Sequence, residues 1–421
     1  MVAAPILALS REPGLAEVLA EHPDVPRLIT IKIDVQRRGV HYTDAALTAV
    51  DPTVHQLRSA NIFGTRDETL RPGLPEALLL RDGSSVLADP APLDKNPYVV
   101  DIVDGRLWVT DGGVPVEEVE LWRKPAFYDK HTSTGIPMSL IAQARPQRIT
   151  IFQSSFCYFW AENNGGCQFC DISDFTKKQK EIFADRPNRP RGRDIAEVVR
   201  EAVKEKGRFT NFCLTGGSVL KGDELFDREV DYYIETLQAI GEAFSTRKFP
   251  SQLVASAFSE RQLARLYEET GLSSYTTDLE VLNERLFDWI CPGKSRTVGY
   301  REWRRRLIAA VDIFGRGNVN TGIVGGVELA RPYGFQSEAE ALAATLDEAE
   351  FLAQNGVTVI STVWVPRPGS PFHQQEPPSL DYYVRLAKGL SDLRAKYGLT
   401  IDFDDYRRCG NHPDTDLSRL N

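Results

Sequence analysis

The sequence predicts an α/β fold: a run of six strand–helix units building a parallel sheet, preceded by a smaller N-terminal region of β-rich or mixed character. Three observations carry this. Runs of four to seven residues rich in Val, Ile, Phe and Tyr recur between residues 148 and 363. Segments of helical period fill the gaps between them. Before residue 130, Asp104-Gly105 and Gly112-Gly113 punctuate shorter β-like runs, as hairpin turns do. Strands that alternate with helices join by right-handed crossovers into a parallel sheet. On period alone, six units with open edges fit a partial (β/α)6 barrel as well as a doubly wound sheet.

The elements follow in order. Tyr98–Val103, Arg106–Thr110 and Val116–Trp122 read as strands of an accessory domain over residues 1–130. Arg123–Gln147 reads as a linker or irregular lead-in. Ile149–Phe152, Phe209–Thr215, Gln252–Ser256, Tyr275–Leu279, Val319–Val324 and Val357–Val363 are the six strands, within a domain over 131–375. The helices are Asp194–Lys206, with Gly207 as a C-cap, then Asp227–Ala243, Glu260–Thr270, Arg301–Phe314, Ser337–Asn355 and Leu380–Tyr397. Ser337 with Glu340 makes a capping-box signature. Residues 376–421 are expected to close the sheet domain.

Composition narrows the function classes. Hydrophobic residues make up 42% of the 421, enough to bury a large core. A net charge of −9 argues against a general nucleic-acid or membrane-surface binder. The opening stretch has no basic n-region and soon turns polar, and no apolar run approaches a membrane span. A soluble, cytoplasmic protein is expected. Six cysteines are present, and three of them, Cys157, Cys167 and Cys170, fall within fourteen residues. That crowding favours metal or redox chemistry over a disulfide framework.

Cys157 lies just past the first strand, and two residues separate Cys167 from Cys170. If chemistry sits at the C-terminal ends of the strands, this is where it belongs. Thiolates are the preferred ligands of iron–sulfur clusters. A structural zinc site wants four closed ligands, and no fourth is evident here; His131 is the nearest preceding histidine. A [4Fe–4S] cluster held by three thiolates leaves one iron open for a small molecule. The competing readings are a zinc turn and three unrelated buried cysteines.

Cys167-Gln-Phe169-Cys170 resembles the second half of the radical S-adenosylmethionine (SAM) signature, in which an aromatic residue precedes the last cysteine. The common signature has three residues between its first two cysteines; here there are nine. Further motifs occur in the order that biotin synthase-like and lipoyl synthase-like enzymes would have them. Leu214-Thr-Gly216-Gly217-Ser218 resembles the glycine turn that meets the SAM amino group. Thr277-Asp278-Leu279-Glu280 resembles the stretch that supplies a polar residue to SAM, with Glu280 the better candidate and Asp278 the second. Near Cys291-Pro-Gly-Lys, Arg296 and Arg304 are candidates for pairing with the SAM carboxylate. Val324, in Asn320–Glu328, and Pro366, after the last strand, are implied to line the adenine.

The resemblance covers roughly residues 148–375. It implies a partial (β/α)6 TIM-type barrel, a [4Fe–4S] cluster on Cys157, Cys167 and Cys170, and SAM as its ligand. It also implies a 5′-deoxyadenosyl radical acting on a small-molecule substrate, and a low-potential electron donor such as flavodoxin or ferredoxin. One alternative keeps SAM but transfers its 3-amino-3-carboxypropyl group; the other is a zinc-binding structural or interaction protein. Cys213, Cys291 and Cys409 are expected to be buried core thiols, with no auxiliary cluster. Late residues Tyr406, Arg407, Arg408 and His373, with carboxylates Asp402, Asp404 and Asp405, are weaker candidates for substrate contact.

Overall fold

A computed structural model describes residues 12–58, 73–154, 156–161, 164–172, 190–399 and 410–420. It shows a mixed α/β chain with two sheets. The first contains β1 (Val40–Tyr42), β2 (Leu78–Leu80), β3 (Ser85–Val86), β4 (Tyr98–Val103), β5 (Arg106–Asp111) and β6 (Val114–Leu121). Their order is β1-β4-β5-β6-β2-β3; only the β1–β4 pair is parallel. Both expected hairpins are present. Asp104 and Gly105 (φ 48° and 77°), then Gly112 and Gly113 (54° and 84°), take the left-handed conformations that two-residue turns of this hand require.

The helices α1 (Leu15–Glu21), α2 (Arg27–Arg38) and α3 (Asp44–Thr48) belong to the same region. The sequence reading missed α2, in which Ile29, Ile31, Ile33 and Val35 alternate with polar residues as in a strand, although every residue from Ile29 to Gln36 is buried. Ile31 and Val35 pack into the core of the first sheet, and Ile29 and Ile33 into that of the second.

The second sheet contains β7 (Ala142–Arg145), β8 (Arg148–Ser154), β9 (Asn211–Gly216), β10 (Ser251–Val254), β11 (Ser274–Thr276), β12 (Val319–Gly325) and β13 (Val357–Val363). Sheet order follows chain order. β8 to β13 run parallel, and β7 is antiparallel to β8. Helices α4 (Gly192–Ala202), α5 (Asp227–Gly241) and α6 (Glu260–Glu269) lie between successive strands, then α7 (Glu284–Ile290), α8 (Pro292–Thr297) and α9 (Tyr300–Phe314) before β12. α10 (Glu338–Gln354) precedes β13, and α11 (Leu380–Lys396) and α12 (Pro413–Leu420) follow it. Ser337 caps α10 as expected, its hydroxyl accepting from the Glu340 amide at 3.2 Å.

Two local expectations are corrected. The supposed linker Arg123–Gln147 contains β7. Ala-Gln-Ala-Arg has little strand propensity, and pairing with β8 in full burial outweighs it. The helix expected to reach Lys206 ends at Ala202, and Gly207 takes its positive φ of 77° in the turns beyond. Among the described residues no helix is long and apolar enough to cross a membrane.

Candidate functional site

β8 delivers the chain to Cys157, which precedes a single 3-10 turn at Tyr158–Trp160. The loop that follows is laced to distant elements. The Gln168 amide donates to the Ile290 carbonyl at 2.8 Å, and the Phe372 amide to the Gln168 carbonyl at 3.0 Å. The Gly293 amide donates to Gly165 at 3.0 Å, and a Cβ on Gly293 would come within 2.3 Å of that same carbonyl oxygen. This lacing holds Cys167 and Cys170 against Cys157, and all three line one cavity of about 430 Å³.

The thiols perturb one another. Burial, then the proximity of Cys167, pushes Cys157 up to about 11. A hydrogen bond with Cys291, then burial, raises Cys167 well above the ordinary thiol range. Burial raises Cys170 likewise, followed by the charges of Cys167 and, more weakly, Cys157. Cys167 bears on both of the others and Cys157 on Cys170, so the three sulfurs lie close together on the one cavity. Left alone they stay protonated. A metal centre that takes them as thiolates removes that penalty, so the donor set fits an iron–sulfur cluster.

The glycine turn packs directly on this loop. Gly216, Gly217 and Ser218 line the cavity, and the Tyr158 amide donates to the Ser218 carbonyl at 2.9 Å. A Cβ on Gly217 would lie 2.4 Å from the Phe156 carbonyl oxygen and 2.6 Å from Cys157 Cα, so only glycine fits. Behind the turn, the buried Glu229 carboxylate accepts from the Val219 amide at 2.8 Å and the Ser256 hydroxyl at 2.9 Å. The Ser218 and Ser256 hydroxyl oxygens lie 2.9 Å apart, Ser218 donating to Ser256, and both serines face the cavity. Burial pushes the Glu229 carboxyl up to about 7.

Opposite lies Glu280, a non-glycine residue at φ 67°. Its backbone is pinned by the Gly322 carbonyl (3.1 Å) and the Val324 amide (2.9 Å). Such backbone strain persists only where the surroundings impose it. Lys294 Nζ donates to Glu280 Oε1 at 2.6 Å and to the Asp278 carbonyl at 2.8 Å, and sits 4.7 Å from the Trp303 ring centre. Burial raises the Glu280 carboxyl to about 7 against the pull of Lys294. Burial also opposes the charge on Lys294, yet Glu280, Cys167, Cys291 and Asp278 hold it above the ordinary lysine range.

Of the residues picked out in the sequence, Cys157, Cys167, Cys170, Phe169, Gly216, Gly217, Ser218, Asp278, Glu280 and Val324 line this cavity. Three do not. Arg296 is exposed. Arg304 pairs with Glu348 at 2.9 Å beside Phe351. Pro366 is passed over, while its neighbours Val365 and Arg367 face the cavity. Lys294, Trp303, Ser256 and Glu229 were missed, because nothing local announces a buried lysine or glutamate. Cys213 faces the cavity and Cys291 is fully buried. His373 is exposed, its Nδ1 3.0 Å from the Ser370 carbonyl. Cys409, Asp402, Asp404, Asp405, Tyr406, Arg407 and Arg408 lie outside the described residues.

Loops of the N-terminal region supply another wall through Arg58, Glu76 and Asp89, and Arg367 spans Asp89 (3.7 Å) and Asp171 (3.8 Å).

No protein-family model matches the chain. A stretch of 131 residues, 31% of the chain, is 30% identical to bacteriochlorophyllide c C-7(1)-hydroxylase of Chlorobaculum limnaeum; the match spans 30% of that relative's length. Among solved structures, a methylornithine synthase is 16% identical with a TM-score of 0.36, over 65% of this chain and 78% of that one. A radical SAM methyltransferase from Sphaerobacter thermophilus is 16% identical with a TM-score of 0.41, over 96% of this chain and 98% of that one. The chain thus spans under a third of that curated relative's length, and what it shows of its own is three cysteines whose thiols share a single cavity.

Proposed function

We propose that the chain holds a [4Fe–4S] cluster on Cys157, Cys167 and Cys170 with SAM beside it, and generates a 5′-deoxyadenosyl radical that takes hydrogen from a small-molecule substrate. The observation that carries this reading is the convergence of three thiols on one cavity that also presents the Gly216–Ser218 turn and Glu280. When bound, the cluster and SAM supply one-electron reductive cleavage of a sulfonium C–S bond. The protein's part is positioning and shielding.

In this reading the Gly216-Gly217 turn offers backbone to the SAM amino group, and Glu280 meets its ribose or methionyl end. Val324 and Val365 give the adenine an apolar seat. Lys294, the cation beside Glu280, takes the place at the SAM carboxylate that the sequence offered to Arg296 or Arg304. The six parallel strands form a partial (β/α)6 barrel around the cavity. Residues 1–130 act as an accessory domain, and 376–421 as the segment that closes the side and excludes water. The electron comes from a low-potential donor of the flavodoxin or ferredoxin kind.

The test is anaerobic reconstitution of the full chain. We expect about four irons per chain, 5′-deoxyadenosine on addition of dithionite and SAM, and loss of both in Cys157→Ala, Cys167→Ala and Cys170→Ala. Zinc in place of iron, or SAM cleavage yielding 5′-methylthioadenosine in place of 5′-deoxyadenosine, overturns the reading.

A further inference from the structure

We propose that Glu229 takes up the proton that SAM gives up on binding, through the hydroxyls of Ser218 and Ser256. The inference rests on the reading of the cysteine end given above, which seats the SAM amino group at the Gly216–Ser218 turn beside an open iron. An amine ligates a metal only through its lone pair, so the α-ammonium of free SAM has to lose a proton there.

The hydrogen bonds behind the turn run in one direction. A carboxylate only accepts, so the Ser256 hydroxyl gives its proton to Glu229 Oε2 at 2.9 Å. Ser256 Oγ is left to accept, and Ser218, 2.9 Å away, donates to it. The Ser218 oxygen, its own proton so engaged, meets the cavity as an acceptor. The Ser218 backbone amide donates toward the Cys157 sulfur, which places this hydroxyl beside the cysteine site. An ammonium at the turn therefore finds an oxygen ready for its proton. The transfer balances: one N–H bond breaks and a Ser218 O–H bond forms, the former Ser218 proton passes to Ser256, and the former Ser256 proton passes to Glu229 Oε2. The amine and the carboxyl end neutral, and both hydroxyls are restored with their bonds reversed.

Glu229 suits the end of such a chain. Oε2 also accepts from the Val219 amide at 2.8 Å, and Oε1 from the Ser256 amide at 3.1 Å. Both bonds survive protonation, because the proton settles on Oε2 toward Ser256. Burial brings the carboxyl to about 7, near the value of about 8 at which an α-amino group titrates, so the transfer is close to even. Three other ionisable groups bear on Glu229. Lys294, on α8, favours its charged form. Tyr233, on its own helix, and Tyr275, on β11, are kept neutral by burial and offer no rival acceptor.

The experiment is calorimetric titration of SAM into the full chain, its cluster reconstituted anaerobically, with no reductant. Repeating it in buffers of differing ionisation enthalpy counts the protons exchanged with solvent. At about pH 7.5 free SAM still carries most of its ammonium proton, and Glu229 is mostly ionised. We expect the wild type to release under about 0.2 protons per SAM there, and nearly one at about pH 6, where Glu229 already holds its own. Glu229→Gln, with an unchanged circular dichroism spectrum, should release about 0.6 protons at pH 7.5. Release of about half a proton or more by the wild type at pH 7.5 overturns the proposal without any variant, and so does an unchanged count in folded Glu229→Gln. SAM that fails to bind the cluster-loaded wild type removes the cysteine-end reading and this inference with it. SAM that binds and sends its proton to the buffer counts against this inference alone.

Discussion

Lys294 is buried between the Glu280 carboxylate, the Asp278 carbonyl and the face of Trp303. A charge so placed is tolerable only while its partner remains, because removing one member of a buried pair strands the other. Lys294→Met is therefore expected to lower folding stability by about 3–5 kcal/mol, read from urea unfolding, and to weaken SAM binding. A variant of wild-type stability would show that Glu280 is not ionised there. Glu229 makes a different prediction, about pH. Its carboxyl stands at about 7 in the fold against 4.5 ordinarily, because burial disfavours the charge more than three accepted hydrogen bonds favour it. Below 4.5 the group is protonated folded or unfolded, and its contribution to stability is fully present. As pH rises through 7 the fold must ionise a buried group, and that contribution is lost, by up to about 3 kcal/mol. Glu229→Gln should flatten the fall in stability between pH 5 and 8 relative to wild type; equal slopes in thermal melts of the two proteins would refute it.

At the scale of elements, the turn after β9 and the loop after β8 behave as one unit, because Gly217 touches the backbone of Cys157. Gly217→Ala has to displace that loop, and the Cys157 sulfur moves with it. The expected outcome is an unchanged circular dichroism spectrum with iron content reduced at least about two-fold, since a shift near 1 Å spoils a ligand set; full iron incorporation would show that the loop yields. Contacts of this kind explain what was legible. The cysteines and the glycine turn are short motifs whose spacing carries their chemistry, so they could be placed from sequence. The cation at Glu280 could not. On α8, Lys294 and Arg296 stand two residues apart, some 200° round a helix, so burying one exposes the other. On α9, Trp303, Leu307, Ala310 and Phe314 form the buried stripe, and Arg304 falls beside it toward Glu348. Of the two, only α9 was read as a helix from the sequence, and which face each buries depends on neighbours far along the chain. β7 escaped for the related reason that its pairing with β8, and not its composition, makes it a strand.

Across the whole molecule, α2 is the piece on which both sheets depend. Its Lys32 ammonium meets Asp416 at 2.5 Å with both side chains fully buried, and Gln36 Nε2 donates to the Gly410 carbonyl at 2.6 Å. Asp414 completes the anchorage, accepting from Arg394 at 2.7 Å and from the Ser361 amide on β13 at 3.1 Å. The segment from Gly410 is thereby strapped across the β13 end of the second sheet, and it carries Asn411 and His412 to the cavity wall. A buried ion pair of this kind adds little net stability, but breaking it is costly. Lys32→Met should therefore destabilise the protein by about 3–5 kcal/mol and make the segment from Gly410 onward more susceptible to limited proteolysis. Adding Asp416→Leu to Lys32→Met removes the stranded charge, so the double variant should regain most of that stability in urea unfolding. If the double variant is as unstable as the single one, the pair holds the strap by geometry that an apolar contact cannot replace, and the charge argument fails.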